Sequence, residues 1–371
     1  MENTVAGDMS RSAGNNSRDL TLDFLKSVSM VLVVFFHNIQ LNPDSIADNI
    51  FMMWGNAAVP AFFLVSGALF FTRPFTWRRH MYHILRFYLA MTGWKVIYLA
   101  VYHPIGISSL DSSRRLLTYL FLFGDIEGVP TGHLWFIQGL LTVLLAAPLL
   151  RVCMERDRKT AVYLMALCLV FNQILGDVNL IGEGLARLVG KGAWNITSFA
   201  EINPLSFRYS NYMFYYMLGG FLQEKKQEKA VSLKAGAVMI AAGLAGLLIF
   251  KYIQSGTFRW QNTHLSGGYY QTPTLFIAAG MFLSAACIPL QGKGAWAGKL
   301  AQGFSRTVGT STLGIFYLHI PIIHILTPGL FQLTAAYNCW ALNLLESLGI
   351  VAFCCGIVWI GRKLPVVRWL F

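Results

Sequence analysis

Apolar residues run through this chain in long blocks, separated by short polar, glycine- or proline-containing breaks. A helix needs about 20 mostly apolar residues to cross a bilayer. Ten blocks approach that length, at about 20–41, 51–72, 84–103, 133–150, 160–176, 210–223, 233–253, 271–290, 308–327 and 340–361. The fifth and sixth are short. A further apolar piece, 116–123, is too short to span and reads as an interfacial or re-entrant helix. The pattern predicts an all-α, polytopic integral membrane protein of about ten transmembrane helices. Residues 1–18 are polar and read as a disordered cytosolic tail. The apolar run that follows is too long for a signal-peptide core and lacks a small-x-small cleavage site, so it reads as a retained helix. The longest outer loop, about 177–209, carries Gly182, Gly184, Gly190 and Gly192 and is expected to cover a site on the outer face. No internal repeat or soluble second domain is evident. The membrane domain is expected over 19–363, with 364–371 as a short cytosolic tail.

Composition agrees with the pattern. The 371 residues are 55% hydrophobic and only 12% charged, against roughly 25% charged in soluble domains. So few charges exclude a soluble enzyme or a disordered chain. The net charge of +12 arises mainly in the breaks between apolar blocks, not on one exposed face, which argues against a nucleic-acid partner. With the N-terminus inside, 21 of the 29 Lys and Arg fall on the inner side and seven on the outer; Lys95 lies within a span. That bias places both termini in the cytosol. The six cysteines show no metal-site spacing, and no metal is expected.

An ionisable group inside the bilayer is costly, so each one is a functional candidate. The first block holds Asp23, Lys26 and His37. Lys26 and His37 are eleven residues apart, which returns them to nearly one helix face about 16 Å apart along the axis. Asp23, one turn before Lys26, can pair with it. Imidazole is the usual general base near neutral pH, so His37 is a catalytic candidate. The alternatives are that Lys26 snorkels to the inner surface and His37 caps the outer end in water. The inner break after the second block holds Arg73, Arg78, Arg79, His80, His83 and Arg86. Guanidinium groups suit phosphate, although any inner loop tends to be basic. His133 and Trp135 enter the fourth block, where an aromatic anchor is the plain alternative. His319 lies deep in the ninth, just after Tyr317, and needs a partner or a wet cavity.

These residues together resemble the membrane-bound acyltransferase family 3, over about Asp19 to Lys363. The resemblance rests on Lys26 and His37 at their spacing, with Lys where Arg is commoner, and on Ala61-Phe62-Phe63-Leu64-Val65-Ser66-Gly67. It rests also on His133-Leu134-Trp135-Phe136, Tyr215-Tyr216-Met217-Leu218-Gly219 and Tyr317-Leu318-His319. The family's pair of Arg three apart reads His83 and Arg86 here, with Arg79 one turn earlier as a replacement.

The resemblance implies a transmembrane O-acyltransferase that moves acetyl, or another short acyl group, from cytosolic acetyl-CoA to a hydroxyl of a cell-envelope glycan or glycoside. It implies a bacterial cytoplasmic membrane, membrane lipids as surroundings, acyl-CoA as co-substrate and no permanently bound cofactor. A separate periplasmic or extracellular acyl-transferring protein is a possible partner. His37, Lys26 and His319 are the expected catalytic residues. Arg78, Arg79 and Arg86 are expected at the acyl-CoA, and Asp23, Ser66, His133, Trp135 and Tyr317 as supporting residues. The competing classes are a transporter for polysaccharide or lipid-linked precursor and a non-catalytic synthase subunit.

Overall fold

The computed structural model describes residues 18–38, 45–102, 113–190, 209–255, 268–288, 290, 296–334, 339–365 and 367–371. These residues form helices and turns, with no strand among them. The helices are α1 (Leu20–Asn38), α2 (Ile46–Asn56), α3 (Ala58–Thr72), α4 (Trp77–Tyr102), α5 (Ser113–Phe121), α6 (Trp135–Arg156), α7 (Arg158–Leu169) and α8 (Leu175–Leu188). After them come α9 (Asn211–Gln227), α10 (Leu233–Ser255), α11 (Thr272–Ala286), α12 (Trp296–Thr334) and α13 (Trp340–Gly361).

Eight stretches are long and apolar enough to cross a membrane: Leu20–Asn38, Ile46–Thr72, Trp77–Tyr102, Gly132–Arg156, Arg158–Leu188, Leu233–Gln254, Gly298–Gly329 and Trp340–Gly361. The other two predicted spans fall on α9, of 17 residues, and α11, of 15 residues, so the expected ten is not reached by length. Both short helices lie against other helices: α9 on α3, and α11 on α10 and α3. The second span begins five residues earlier than expected and is jointed at Ala57, between α2 and α3. The expected outer loop also starts too early. Residues 177–188 are helical, because a π turn at Val170–Ile174 carries the fifth span on into α8. Residues 191–208 of that loop, and 1–17 of the expected N-terminal tail, lie outside the described residues. The short piece at 116–123 is in part α5; Leu117 and Phe121 of that helix and Leu122 just after it are exposed.

Side-chain caps start several helices. Asp19 accepts from the amides of Thr21 and Leu22 at 3.0 and 3.2 Å, and Asp157 does the same for Lys159 and Thr160, both at 3.1 Å. Asp19 also ties α1 to the end of α9, accepting from Lys226 at 2.7 Å and Gln223 at 3.2 Å. Burial pushes the Asp19 carboxyl up, but Lys226, the Leu22 amide and Gln223 together outweigh it and leave the group below its usual range.

In lipid, burial of apolar surface does not drive helices together; close packing does. A Cβ on Gly67 would lie 1.8 Å from the Tyr216 carbonyl oxygen, and one on Gly219 would lie 1.9 Å from that of Leu64. The α3–α9 crossing therefore requires glycine on both sides. Two hydrophobic clusters result. One gathers α2, α3, α7, α9, α10 and α11; the other gathers α4, α12 and α13; residues of α1 and α6 enter both. Phe62, Ile84, Phe87 and Phe136 pack against both clusters and so mark the seam between them.

Candidate active site

A cavity of about 350 Å³ lies along that seam. Its basic end carries Lys26, His83, Arg86 and Arg362. Val33, Val59, Phe62, Phe136, Leu140 and Phe316 also line it, and His37, His133, Trp135 and Tyr269 belong to its far end. Lys26 and His37 both line it, as their common face on α1 requires. A second cavity of about 220 Å³ adjoins the basic end and shares Ser66, His83, Phe87 and Leu140 with the first. It is walled by Arg73, Arg79, His80 and Arg151 together with Phe70, Phe75 and Tyr216.

At the basic end Asp23 is buried and accepts from Lys26 Nζ at 2.6 Å, with Arg18 on its other side. The cation is therefore held by a pair within its own helix while its side chain still borders the cavity. Arg86 Nη2 donates to the main-chain oxygen of Phe371 at 3.0 Å, and Arg362 Nη2 donates to that of Thr310 at 2.7 Å. In the second cavity Arg151 Nη1 donates to the carbonyls of Phe70 at 3.1 Å and Arg73 at 2.8 Å. These bonds pin the guanidinium groups to the protein frame.

At the far end three imidazoles from three helical segments converge. The His37 and His319 ring centroids are 5.2 Å apart, and those of His133 and His319 5.3 Å. His319 is fully buried. Its Nδ1 lies 3.2 Å from the Ile315 carbonyl, which can only accept, so Nδ1 carries the proton in the neutral ring. Nε2 then holds the lone pair, and it meets no hydrogen-bond partner among the described residues. Tyr98 donates to the Tyr317 carbonyl, so its oxygen is left to accept from His133 Nε2 at 3.1 Å. No group of three His, Cys, Asp or Glu among the described residues is arranged to hold a metal ion.

The structure thus brings together Lys26, Asp23, His37, Ser66, Arg86, His133, Trp135 and His319. Arg79 borders the second cavity only. Arg78 is exposed and lines neither cavity, because it sits one residue out of register with Arg79 on α4. Tyr317 is fully buried and stacks on Trp94 at 5.4 Å, supporting the His cluster from behind rather than facing the cavity. Sequence reasoning missed Arg151, Arg362, Tyr98, Tyr269 and Phe371 as site residues. Arg362 stands at the inner end of the last span, where a positive charge signals topology and nothing more.

A family model described as an acyltransferase domain matches residues 19–362. No curated protein and no solved structure matches the chain. The matched range holds every residue that lines either cavity except Phe371, and eight of its helical stretches are fit to cross a bilayer, so this chain belongs to acyltransferase family 3 and is a multi-pass membrane acyltransferase.

Proposed function

We propose that this protein takes an acetyl or other short acyl group from cytosolic acyl-CoA and places it on a hydroxyl of a cell-envelope glycan or glycoside, in a bacterial cytoplasmic membrane. The observation that carries this reading is the single cavity with cations at one end and His37 at the other. Arg73, Arg79 and Arg151, beside Phe70 and Phe75, offer charge and aromatic faces for the nucleotide end of the donor. Lys26, Arg86 and Arg362 continue the positive lining toward the seam. The acyl-bearing arm then lies among apolar side chains, and the acceptor hydroxyl arrives beside Trp135 and Tyr269.

His37 is the general base. It withdraws the hydroxyl proton as the oxygen attacks the thioester carbonyl. The tetrahedral oxyanion collapses, the C–S bond breaks, and the thiolate leaves with the proton carried by His37. His319 is a positioning residue. Its Nε2 lone pair can accept the N–H of His37, which leaves the other nitrogen of His37 as the base. A separate acyl-transferring protein on the far side would extend the route for large acceptors.

The test is CoA release from labelled acetyl-CoA in membranes carrying the protein, with envelope glycan as acceptor. His37→Gln is expected to lower kcat by about 10²–10⁴-fold, the usual contribution of a general base. Wild-type rates in that variant, at equal membrane insertion, would remove the role of His37. Absence of any donor-dependent acylation by wild type would remove the whole reading.

A further inference from the structure

Residues 367–371 belong to a stretch expected to be a tail, yet they fold back against the bundle. A 3₁₀ turn at Arg368–Leu370 packs on α4, and Leu370 and Phe371 are buried. Two polar side chains of α4 hold the segment by its main chain: Trp94 Nε1 donates to the Leu370 carbonyl at 3.3 Å, and Arg86 Nη2 to that of Phe371 at 3.0 Å. The Phe371 ring meets Trp94 edge-on at 5.7 Å and lines the main cavity at its basic end.

The socket is made by missing side chains on three helices. A Cβ on Gly361 would stand 2.2 Å from the Phe371 ring, and one on Gly314 would stand 2.7 Å from it. A Cβ on Gly93 would stand 2.8 Å from Leu370. The carbonyl engages one arm of the Arg86 fork and fixes its rotamer, while the ring closes the wall beside it. A guanidinium held in place before an anion arrives loses less side-chain entropy on binding.

We propose that Phe371 and the turn carrying it are a positioning element for the donor: they hold Arg86 at the basic end of the cavity and complete the wall there. This rests on the proposed function, in which that end receives acyl-CoA. The experiment measures kcat and KM for acetyl-CoA in membrane vesicles for Phe371→Ala, Gly361→Val, Trp94→Phe and Arg86→Ala, each normalised to inserted protein. Phe371→Ala and Gly361→Val are expected to raise KM about tenfold with kcat within about threefold. Trp94→Phe, which keeps a ring but loses the bond to Leu370, is expected to give a smaller shift in KM. Phe371→Leu, which retains apolar bulk, is expected to recover most of the wild-type KM. The Arg86→Ala/Phe371→Ala pair is expected to show no more than the Arg86→Ala shift, since both remove one arrangement.

A merely structural segment would lower the amount of inserted protein and leave KM unchanged. An unchanged KM in Phe371→Ala and Trp94→Phe, or multiplying effects in the double variant, overturns the proposal. If wild type shows no acetyl-CoA-dependent turnover, the proposed function itself has failed, a result distinct from either.

Discussion

His319 gives the sharpest residue-scale contrast in the site. Its Nδ1 is committed to a carbonyl and its Nε2 is buried without a partner. His319→Ala is expected to lower kcat by one to two orders of magnitude with little change in KM for the donor, because under the proposed function His319 only orients His37. Equal losses in kcat and inserted protein would mark a packing role instead. Lys26→Met leaves the buried Asp23 carboxylate with Arg18 alone. It is expected to reduce thermal stability by less than the roughly 3–5 kcal/mol of a fully buried broken pair, since Lys26 remains partly exposed. The Asp23→Asn/Lys26→Met double variant is expected to regain part of that loss, which a melting series in detergent would show. At this scale the sequence was informative where an ionisable residue lies within an apolar block, as with Lys26, His37 and His319. It was silent on Phe371 and Tyr98, since one more aromatic in a chain with 27 Phe and 15 Tyr carries no signal.

At the scale of elements, apolar block length located the helices but not their joints. The break at Ala57 falls where Pro60, in the first turn of α3, has no N–H for the Asn56 carbonyl, a signal the block length alone does not use; no proline or charge announces the π turn at Val170–Ile174. The Ser66-Gly67 and Leu218-Gly219 dipeptides read first as family signatures, and the structure gives them a mechanical reason: main chains of α3 and α9 nearly touch there. Gly67→Val is expected to destabilise the bundle by about 1–3 kcal/mol or more, as overpacking does, with loss of inserted protein as the readout. The Asp19 link between α1 and α9 predicts a pH dependence of definite sign. Its folded carboxyl titrates below the usual carboxylate value, so its stabilisation is full above the unfolded pKa of about 4 and is lost as pH falls through the folded value. Asp19→Asn is expected to flatten that acid limb of stability; an unchanged limb would show that other carboxylates set it.

For the whole molecule, the distribution of Lys and Arg predicted topology, and the structure places the Asp19–Lys226 and Arg158–Glu224 ion pairs at one end of the bundle, the end the charge bias assigns to the cytosol. Impermeant thiol reagents should therefore label a cysteine placed at Asp157 or Glu228 only after the cytosolic face is opened, and one placed at Gly128 beforehand. The site was legible as a set of residues but not as a space, because a cavity is made by what neighbouring helices leave unfilled. That cavity lies where two packed clusters meet, and rings rather than main chain close it: Phe136 touches Phe62 at 5.8 Å, Phe63 at 5.3 Å and Phe316 at 5.3 Å. Under the proposed function, the seam would act as a ruler for the transferred group. Trimming Phe136 to Leu removes ring area where both clusters meet and should lengthen that space, so relative rates with propionyl- and butyryl-CoA should rise against acetyl-CoA, while the basic end of the cavity stays as it is.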